Sequence, residues 1–140
     1  MKKQLFILSF IFSACTTGVE LESVDYTTLF TDSNSKVWIV NKMLLQDANI
    51  APIKNEGKDI LIFHHNGHCD LIAMKDLTRK PVRKGSFTLD SKKRLMSIIF
   101  DDSKHWNFEI PYITEDSVLL NATKKSDIPY SIQIKPFPEL

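Results

Sequence analysis

Short apolar runs alternate with polar turn clusters along most of the chain. From Lys36 onward the runs are rich in Ile, Val, Phe, Tyr and Trp and recur at intervals of about 8–15 residues, a spacing typical of antiparallel β-sandwiches and barrels. Short connections between the later runs favour up-and-down pairing of sequential strands. No segment shows a helical stripe or a capped helix start. The predicted strands are Val37–Leu45, Lys58–His65, His68–Met74, Lys84–Leu89, Arg94–Phe100, Trp106–Ile113, Ser117–Ala122 and Ile128–Phe137.

The dipeptide Asn66-Gly67 lies between two β-rich runs and predicts a tight hairpin. Asn-Gly suits a two-residue type I′ turn, in which both central residues have positive φ. In that register His64 faces Cys69, and the alternation of side chains produces one nearly apolar face. The predicted inward residues are Ile60, Ile62, His64, Cys69, Leu71 and Ala73. The predicted outward residues are Asp59, Leu61, Phe63, His65, His68, Asp70 and Ile72.

Aromatic side chains occupy positions that this alternation places inward. They are Trp38, Phe87, Trp106, Phe108, Tyr112 and Tyr130. An eight-stranded barrel is just wide enough to be filled by side chains or to hold one small ligand. These rings therefore favour a packed or nearly packed interior. If a cavity remains, the same rings together with His64 are the predicted lining of a ligand-binding site.

The first fifteen residues show a different pattern, typical of an export signal. Two lysines precede a short apolar run at residues 5–12, and small residues follow it. A membrane-spanning helix needs about 20 apolar residues, so this run is too short to be one. The segment Phe12-Ser13-Ala14-Cys15 resembles the lipobox of bacterial lipoproteins. The resemblance implies cleavage before Cys15, a thiol that carries two acyl chains, and usually acylation of the new amino group, as with palmitate. The alternative is an ordinary secreted protein in which Cys15 is incidental.

Residues 16–35 are polar and lack periodic apolar positions, which predicts a flexible tether. Tyr26, Leu29 and Phe30 are the exceptions, and docking of these side chains on the barrel is the alternative. The predicted organisation is a signal peptide at residues 1–14, a lipidated Cys15 with its tether to residue 35, and one barrel domain at residues 36–140.

Charge and motif content limit the classes of function. The 18 basic and 17 acidic residues nearly balance, so no overall attraction to nucleic acid follows. The chain carries none of the common nucleophile, metalloprotease or phosphate-binding motifs, which favours a protein that is not an enzyme and needs no cofactor.

The histidines and Cys69 around the hairpin are the ligand types that zinc prefers. The predicted register divides them between two faces, so no four-ligand site is expected from the turn. His65 and His68 remain candidates for a two-histidine metal site, the alternative being a plain solvated turn. His64 and Cys69 are candidates for a nucleophile and its base. The alternative is simple packing, in which Cys69 is expected to be buried and inert.

Residues 35–137 resemble the lipocalin-like domains of small bacterial lipoproteins, in Trp38, the Phe63–Gly67 hairpin, Lys84–Phe87 and the closing series of strands. The resemblance implies an eight-stranded meander barrel. Thr16, rather than Asp, follows Cys15, which by resemblance to the sorting rule of lipoproteins favours the outer membrane, with the domain facing the periplasm or the surface.

The predicted function is that of a membrane-anchored lipoprotein that binds an envelope protein through its barrel. The alternatives are a carrier of a small lipophilic ligand and an inhibitor or immunity protein.

Overall fold

The computed structural model describes residues 25–45, 59–73 and 82–138, with the backbone alone for residues 42–45. The strands are β1 (Ser35–Leu45), β2 (Asp59–His64), β3 (His68–Ala73), β4 (Arg83–Asp90), β5 (Leu95–Phe100), β6 (His105–Ile113), β7 (Val118–Ala122) and β8 (Tyr130–Pro136). They form an all-β, closed, antiparallel up-and-down barrel in which β8 pairs back to β1. The predicted fold class is confirmed. The predicted export signal, Cys15 and residues 16–24 of the predicted tether lie outside the described residues.

A short helix, α1 (Tyr26–Thr31), precedes the barrel and is capped by Asp25, so the prediction that no segment has a capped helix start is wrong. The Asp25 carboxylate caps this helix by accepting a hydrogen bond from the Thr27 N–H at 2.9 Å. The backbone hydrogen bond from Thr27 holds the pKa of the Asp25 carboxyl below its usual range. A helix of fewer than two turns is too short to display an amphipathic stripe, which is why the sequence pattern missed it. None of the helices in the described ranges is long and apolar enough to cross a bilayer.

Helix α1 is docked on one end of the barrel. Phe30 is 0% exposed and belongs to the hydrophobic core, and Tyr26 and Leu29 pack against that core. The indole Nε1 of Trp38 donates a hydrogen bond to the Phe30 carbonyl oxygen at 3.0 Å. Tyr26, Leu29 and Phe30 therefore dock on the barrel, which was the alternative to a flexible tether at these residues.

The β2–β3 hairpin has a different register from the predicted one. Phe63 pairs with Cys69 and Leu61 pairs with Leu71, which leaves a three-residue turn. Gly67 has a φ of 86°, and its N–H donates to the His64 carbonyl oxygen at 3.0 Å. Asn66 is not among the residues with positive φ, so the turn is not type I′. The pattern fits a three-residue loop with glycine in the left-handed position.

This shift of one residue reverses the two faces of β2. Leu61 and Phe63, predicted to point outward, are 0% exposed inside the barrel. Ile60, Ile62 and His64, predicted to point inward, occupy the outer face of the strand. In β3 the inward positions of Cys69 and Leu71 are confirmed, because the same two residues line the interior in both registers.

Tyr112 in β6 also departs from the prediction. Between Glu109 and Tyr112 the register with β7 shifts by one residue, around Pro111. A proline cannot donate a ladder hydrogen bond, so it suits such a bulge. Beyond the bulge the side chains exchange faces, and Tyr112 is 54% exposed on the outer surface rather than inside.

The two ends of the barrel carry different residues. The helix end holds α1, which also contacts the β4–β5 turn through a hydrogen bond from the Tyr26 N–H to Ser91 Oγ at 3.1 Å. The opposite end, here called the mouth, holds the first residues of β2, β4 and β8, which are Asp59, Arg83 and Tyr130.

Candidate functional site

The predicted lining residues Trp38, Phe87, Trp106 and Phe108 do lie inside the barrel, with exposures of 0%, 7%, 6% and 0%. Their rings contact other aromatic rings of the core. Phe63 lies 5.5 Å from Phe30 and 4.9 Å from Phe87 between ring centroids, and Trp106 lies 4.9 Å from Phe100 and 6.2 Å from Phe108. All four pairs are edge-to-face contacts, a favourable geometry for aromatic rings.

The polar atom of Trp38 is already engaged by α1, through the hydrogen bond to Phe30. The Lys36 ammonium lies 4.7 Å from the centroid of the Trp38 ring system and adds a cation–π contact. Trp38 therefore acts as the link between helix and barrel, and its contacts are with the protein's own residues.

Tyr130 stands half-buried at the mouth. Burial raises the pKa of its phenol, and the negative charge of Asp59 raises that pKa further. Arg83 enters the mouth from β4, where its Nη2 atom lies 2.8 Å and 3.1 Å from the two carboxylate oxygens of Asp102. The charge of Asp102 is thus paired at the mouth.

The Arg83 guanidinium also stacks over aromatic rings, at 4.4 Å from the Phe100 centroid and 5.8 Å from the Trp106 centroid. This placement was not predicted from the sequence. The signal was present in the alternation of β4, because Arg83 shares the inward face with Gly85 and Phe87. The Arg83 guanidinium therefore covers the aromatic core at the mouth end of the barrel.

The hairpin histidines and Cys69 do not form one site. His64 lies on the outer face, where its Nε2 atom is 3.0 Å from Asp70 Oδ2, whereas Cys69 is 0% exposed inside the barrel. The strand separates the imidazole from the thiol, so the pair cannot act as a nucleophile and its base. His65 and His68 are both exposed at the turn. Across the described ranges, no group of three or more His, Cys, Asp and Glu side chains is arranged to hold a metal ion.

Cys69 is expected to be unreactive in the folded protein. Burial, with smaller contributions from Asp70 and Asp101, raises the pKa of its thiol from 9.0 to about 12. Thiol titration with Ellman's reagent at pH 8 should detect Cys69 only in denaturant. The unfolded thiol ionises above pH 9.0 and the folded thiol does not, so the free energy of unfolding should fall as pH rises from 9.0 towards 12.

The Cys69→Ala variant is the control for this pH dependence. Between pH 9.0 and 12 it should lose less stability than the wild type, by at most about 1.4 kcal/mol per pH unit. Equal losses in the two proteins, or rapid labelling of the native protein, would contradict a buried neutral thiol.

The outer surface of β1, β2 and β3 contains a group of apolar side chains beside polar ones such as His64 and Asp70. Trp38 pairs with Leu61, and both are 0% exposed, so the neighbouring positions on each strand point outward. We call these outward residues the aliphatic wall: Val37, Ile39, Ile60, Ile62 and Ile72. Ile60 has only 7% of its surface exposed, yet it does not belong to the core cluster, and the other four are partly exposed.

The aliphatic wall is continuous because its members are register partners. Val37 pairs with Ile62, while Ile60 pairs with Ile39 on one side and Ile72 on the other. Elsewhere the outer face is mixed: Ser86 and Thr88 of β4 are exposed polar side chains, whereas Leu95 and Ile99 of β5 and Tyr112 of β6 are exposed apolar ones. The wall therefore differs from the rest of the barrel surface by having apolar side chains side by side on three adjacent strands.

The fold is shared with a solved structure, while sequence comparison finds no relative. No family model matches the chain, and no curated protein matches it. The barrel is similar to the NMR structure of the protein from Bacteroides uniformis ATCC 8492, with a TM-score of 0.55 and 9% sequence identity. The match covers 77% of this chain and 98% of that chain. At such low identity the similarity concerns the fold alone.

Proposed function

We propose that this chain is a lipid-anchored protein of the bacterial envelope, held in the outer membrane by acylated Cys15, whose barrel binds a protein partner through the aliphatic wall. In this proposal it is not an enzyme and needs no cofactor. The lipobox-like segment that ends at Cys15 supports the anchor. Two acyl chains meet, and three exceed, the two signals that stable anchoring takes.

The single observation that carries the proposal is the aliphatic wall. Strands with a solvated outer face alternate polar and apolar residues, whereas strands covered on both faces are apolar throughout. Ile60, Leu61, Ile62 and Phe63 form such a continuous apolar run in β2. Contiguous apolar surface on a soluble domain marks an interaction site. A partner that covers the wall accounts for the outward isoleucines, which the packing of the core does not need.

The lipophilic-carrier alternative receives less support. The rings that would line a cavity contact one another inside the barrel, and Tyr112 and His64 of the predicted lining lie outside it. Titration of the Trp fluorescence with a panel of fatty acids and other lipophilic ligands separates the two functions. Saturable quenching would favour the carrier. An inhibitor or immunity protein remains a special case of partner binding, in which the partner is itself an enzyme.

Photo-crosslinking from the wall tests the proposed function. A benzoylphenylalanine replacing Ile62 should give one discrete adduct in intact cells, identified by mass spectrometry as an envelope protein. The same probe replacing Glu109, exposed on β6 outside the wall, should not. In the same cells an alkyne fatty acid should label the wild type and leave Cys15→Ser unlabelled. Equal adducts from both positions, or no adduct from either, would contradict binding through the wall.

A further inference from the structure

We propose that the helix end of the barrel rests on the lipid bilayer, where the β4–β5 turn contacts anionic phospholipid headgroups. This inference rests on the proposed anchor at Cys15 and gives the anchored barrel an orientation. We call residues 91–94, which connect β4 to β5, the basic turn. Its charge, the exposed apolar side chains beside it and the path of the chain from the anchor each favour this position.

The basic turn carries three consecutive cations. Lys92, Lys93 and Arg94 are all exposed and lie at the helix end of the barrel. Among the described residues, only Lys93 of these three has a carboxylate within ion-pair distance, Asp90 Oδ2 at 3.8 Å. A basic residue held at an anionic bilayer strengthens binding by about fivefold. The turn therefore offers the charge that anionic headgroups attract.

The acidic side chains near the basic turn are set back from it. Asp90 accepts a hydrogen bond from the Lys93 N–H at 3.0 Å, and Asp25 caps α1 by accepting one from the Thr27 N–H at 2.9 Å. Glu109 lies across from Leu95, within the sheet rather than in the turn. Lysine and arginine side chains extend further than these carboxylates, so they reach the headgroups first.

The β6–β7 turn at the same end carries the opposite charge. Glu115 and Asp116 are exposed there, two strands away around the barrel. An anionic surface attracts the β4–β5 side of the helix end and repels the β6–β7 side. The docked barrel should therefore lean towards the basic turn.

Two exposed apolar side chains flank the basic turn. Leu95 follows Arg94 directly and is 37% exposed, while Tyr112 is 54% exposed. The Ile110 N–H donates to the Arg94 carbonyl oxygen at 2.9 Å, which holds β6 against the turn. Tyr112 lies two residues further along β6, about 7 Å from Ile110. Tyrosine is enriched where a bilayer meets water, so this pair suits the headgroup region.

The chain from the anchor reaches the barrel beside the basic turn. The Tyr26 N–H donates to Ser91 Oγ at 3.1 Å, which joins the start of α1 to the turn. Asp25 lies ten positions after Cys15. Ten residues span at most about 35 Å when fully extended, and a flexible chain of that length averages about 17 Å. The anchor thus holds the turn close to the headgroups, where the high effective concentration makes a small contact sufficient.

Quenching of single fluorescent probes tests the docking. The acylated protein is reconstituted in vesicles of phosphatidylcholine and phosphatidylglycerol with a nitroxide on some headgroups. Leu95→Cys and Ile99→Cys each carry one probe, because Cys69 is buried and Cys15 is acylated. The two positions share the outer face of β5, with wild-type exposures of 37% and 44%. The probe at residue 95 should be quenched, and that at residue 99, about 13 Å further along the strand from the helix end, should not.

Two matched pairs of charge reversals test the role of the basic turn. Lys92→Glu with Lys93→Glu should lower the ratio of docked to undocked protein by about 25-fold or more, since each lysine contributes about fivefold and repulsion is added. Quenching at residue 95 should then fall towards the level at residue 99. Lys124→Glu with Lys125→Glu makes the same change at two exposed lysines of the mouth and should leave quenching unchanged. Circular dichroism verifies that all variants are folded.

The outcomes separate the docking from the anchor. Equal quenching at residues 95 and 99, or equal loss with both lysine pairs, would overturn the docking and leave the anchor intact. Quenching that is as strong in vesicles of phosphatidylcholine alone would overturn the role of anionic headgroups. A wild type that takes up no fatty acid in cells would overturn the anchor. Tethering the chain to a nickel-chelating lipid by an N-terminal polyhistidine tag would then test the docking surface by itself.

Discussion

Phe63→Ala is expected to lower the free energy of unfolding by about 3–5 kcal/mol, the usual cost of removing a buried phenylalanine. The Phe63 side chain is 0% exposed and lies between the rings of Phe30 and Phe87, so its removal leaves a cavity where the helix meets the barrel. Urea denaturation followed by Trp fluorescence measures the change.

Ile62→Ala is the control for the same strand. Ile62 lies on the outer face and is partly exposed, so its truncation should cost about 1 kcal/mol or less in the isolated monomer. The register expected from a two-residue turn predicts the opposite order, with Ile62 buried and Phe63 exposed. A larger loss at Ile62 than at Phe63 would therefore contradict the three-residue turn.

Gly85→Ala is expected to destabilise the barrel by about 3 kcal/mol, at the upper end of the range for overpacking. A Cβ atom on Gly85 would lie 2.5 Å from the Ile99 carbonyl oxygen and 3.1 Å from both Cα and Cδ1 of Phe100. Two of these neighbours are backbone atoms of a strand that is paired on both sides, so the clash cannot be relieved by a side-chain rotation. Thermal or urea unfolding of the purified protein provides the measurement.

Gly67→Ala distinguishes close contact from backbone strain. Gly67 has a positive φ of 86°, but the nearest atom to an added Cβ is the Phe87 carbonyl oxygen at an ordinary 3.8 Å. Alanine in that conformation should cost about 1–2 kcal/mol, less than at Gly85. Equal losses at the two glycines would indicate that the approach of β4 to β5 is looser than the structure shows.

The strand pattern was predictable because most strands bury one face. In β4 and β6, alternation of Phe87 and Leu89 or of Trp106 and Phe108 with polar neighbours identifies both the strand and its inward residues. The short turns then leave sequential pairing as the simplest order, and the expected closure of β8 on β1 came from the resemblance to lipocalin-like domains.

The register of β2 could not be obtained in the same way. Residues Ile60 through Phe63 are all apolar, so the two faces of the strand do not differ in polarity. A shift of one residue therefore still buries apolar side chains, and the sequence does not distinguish the two registers. Asn66-Gly67 is compatible both with a two-residue turn and with a longer loop that has glycine in the left-handed position. The correct choice depends on tertiary contacts, such as the hydrogen bond from the Phe87 N–H to the Gly67 carbonyl oxygen at 2.8 Å.

The candidate site was predictable only in part, because it depends on the registers of β2 and β6. The interior rings followed from alternation, except at Tyr112, where the bulge at Pro111 reverses the faces. The aliphatic wall was hidden because the predicted register placed Ile60 and Ile62 inside. Because Leu61 and Phe63 point into the barrel, their neighbours Ile60 and Ile62 point to the outer surface.

The docking of α1 limits where proteolysis could separate the barrel from the proposed anchor at Cys15. The segment that would lead from the anchor to the barrel also supplies Phe30, which caps the rings of Trp38 and Phe63. A protease that cut inside α1 would release a barrel with its hydrophobic interior uncovered and prone to aggregate. Release of an intact, soluble body therefore requires cleavage on the N-terminal side of Asp25.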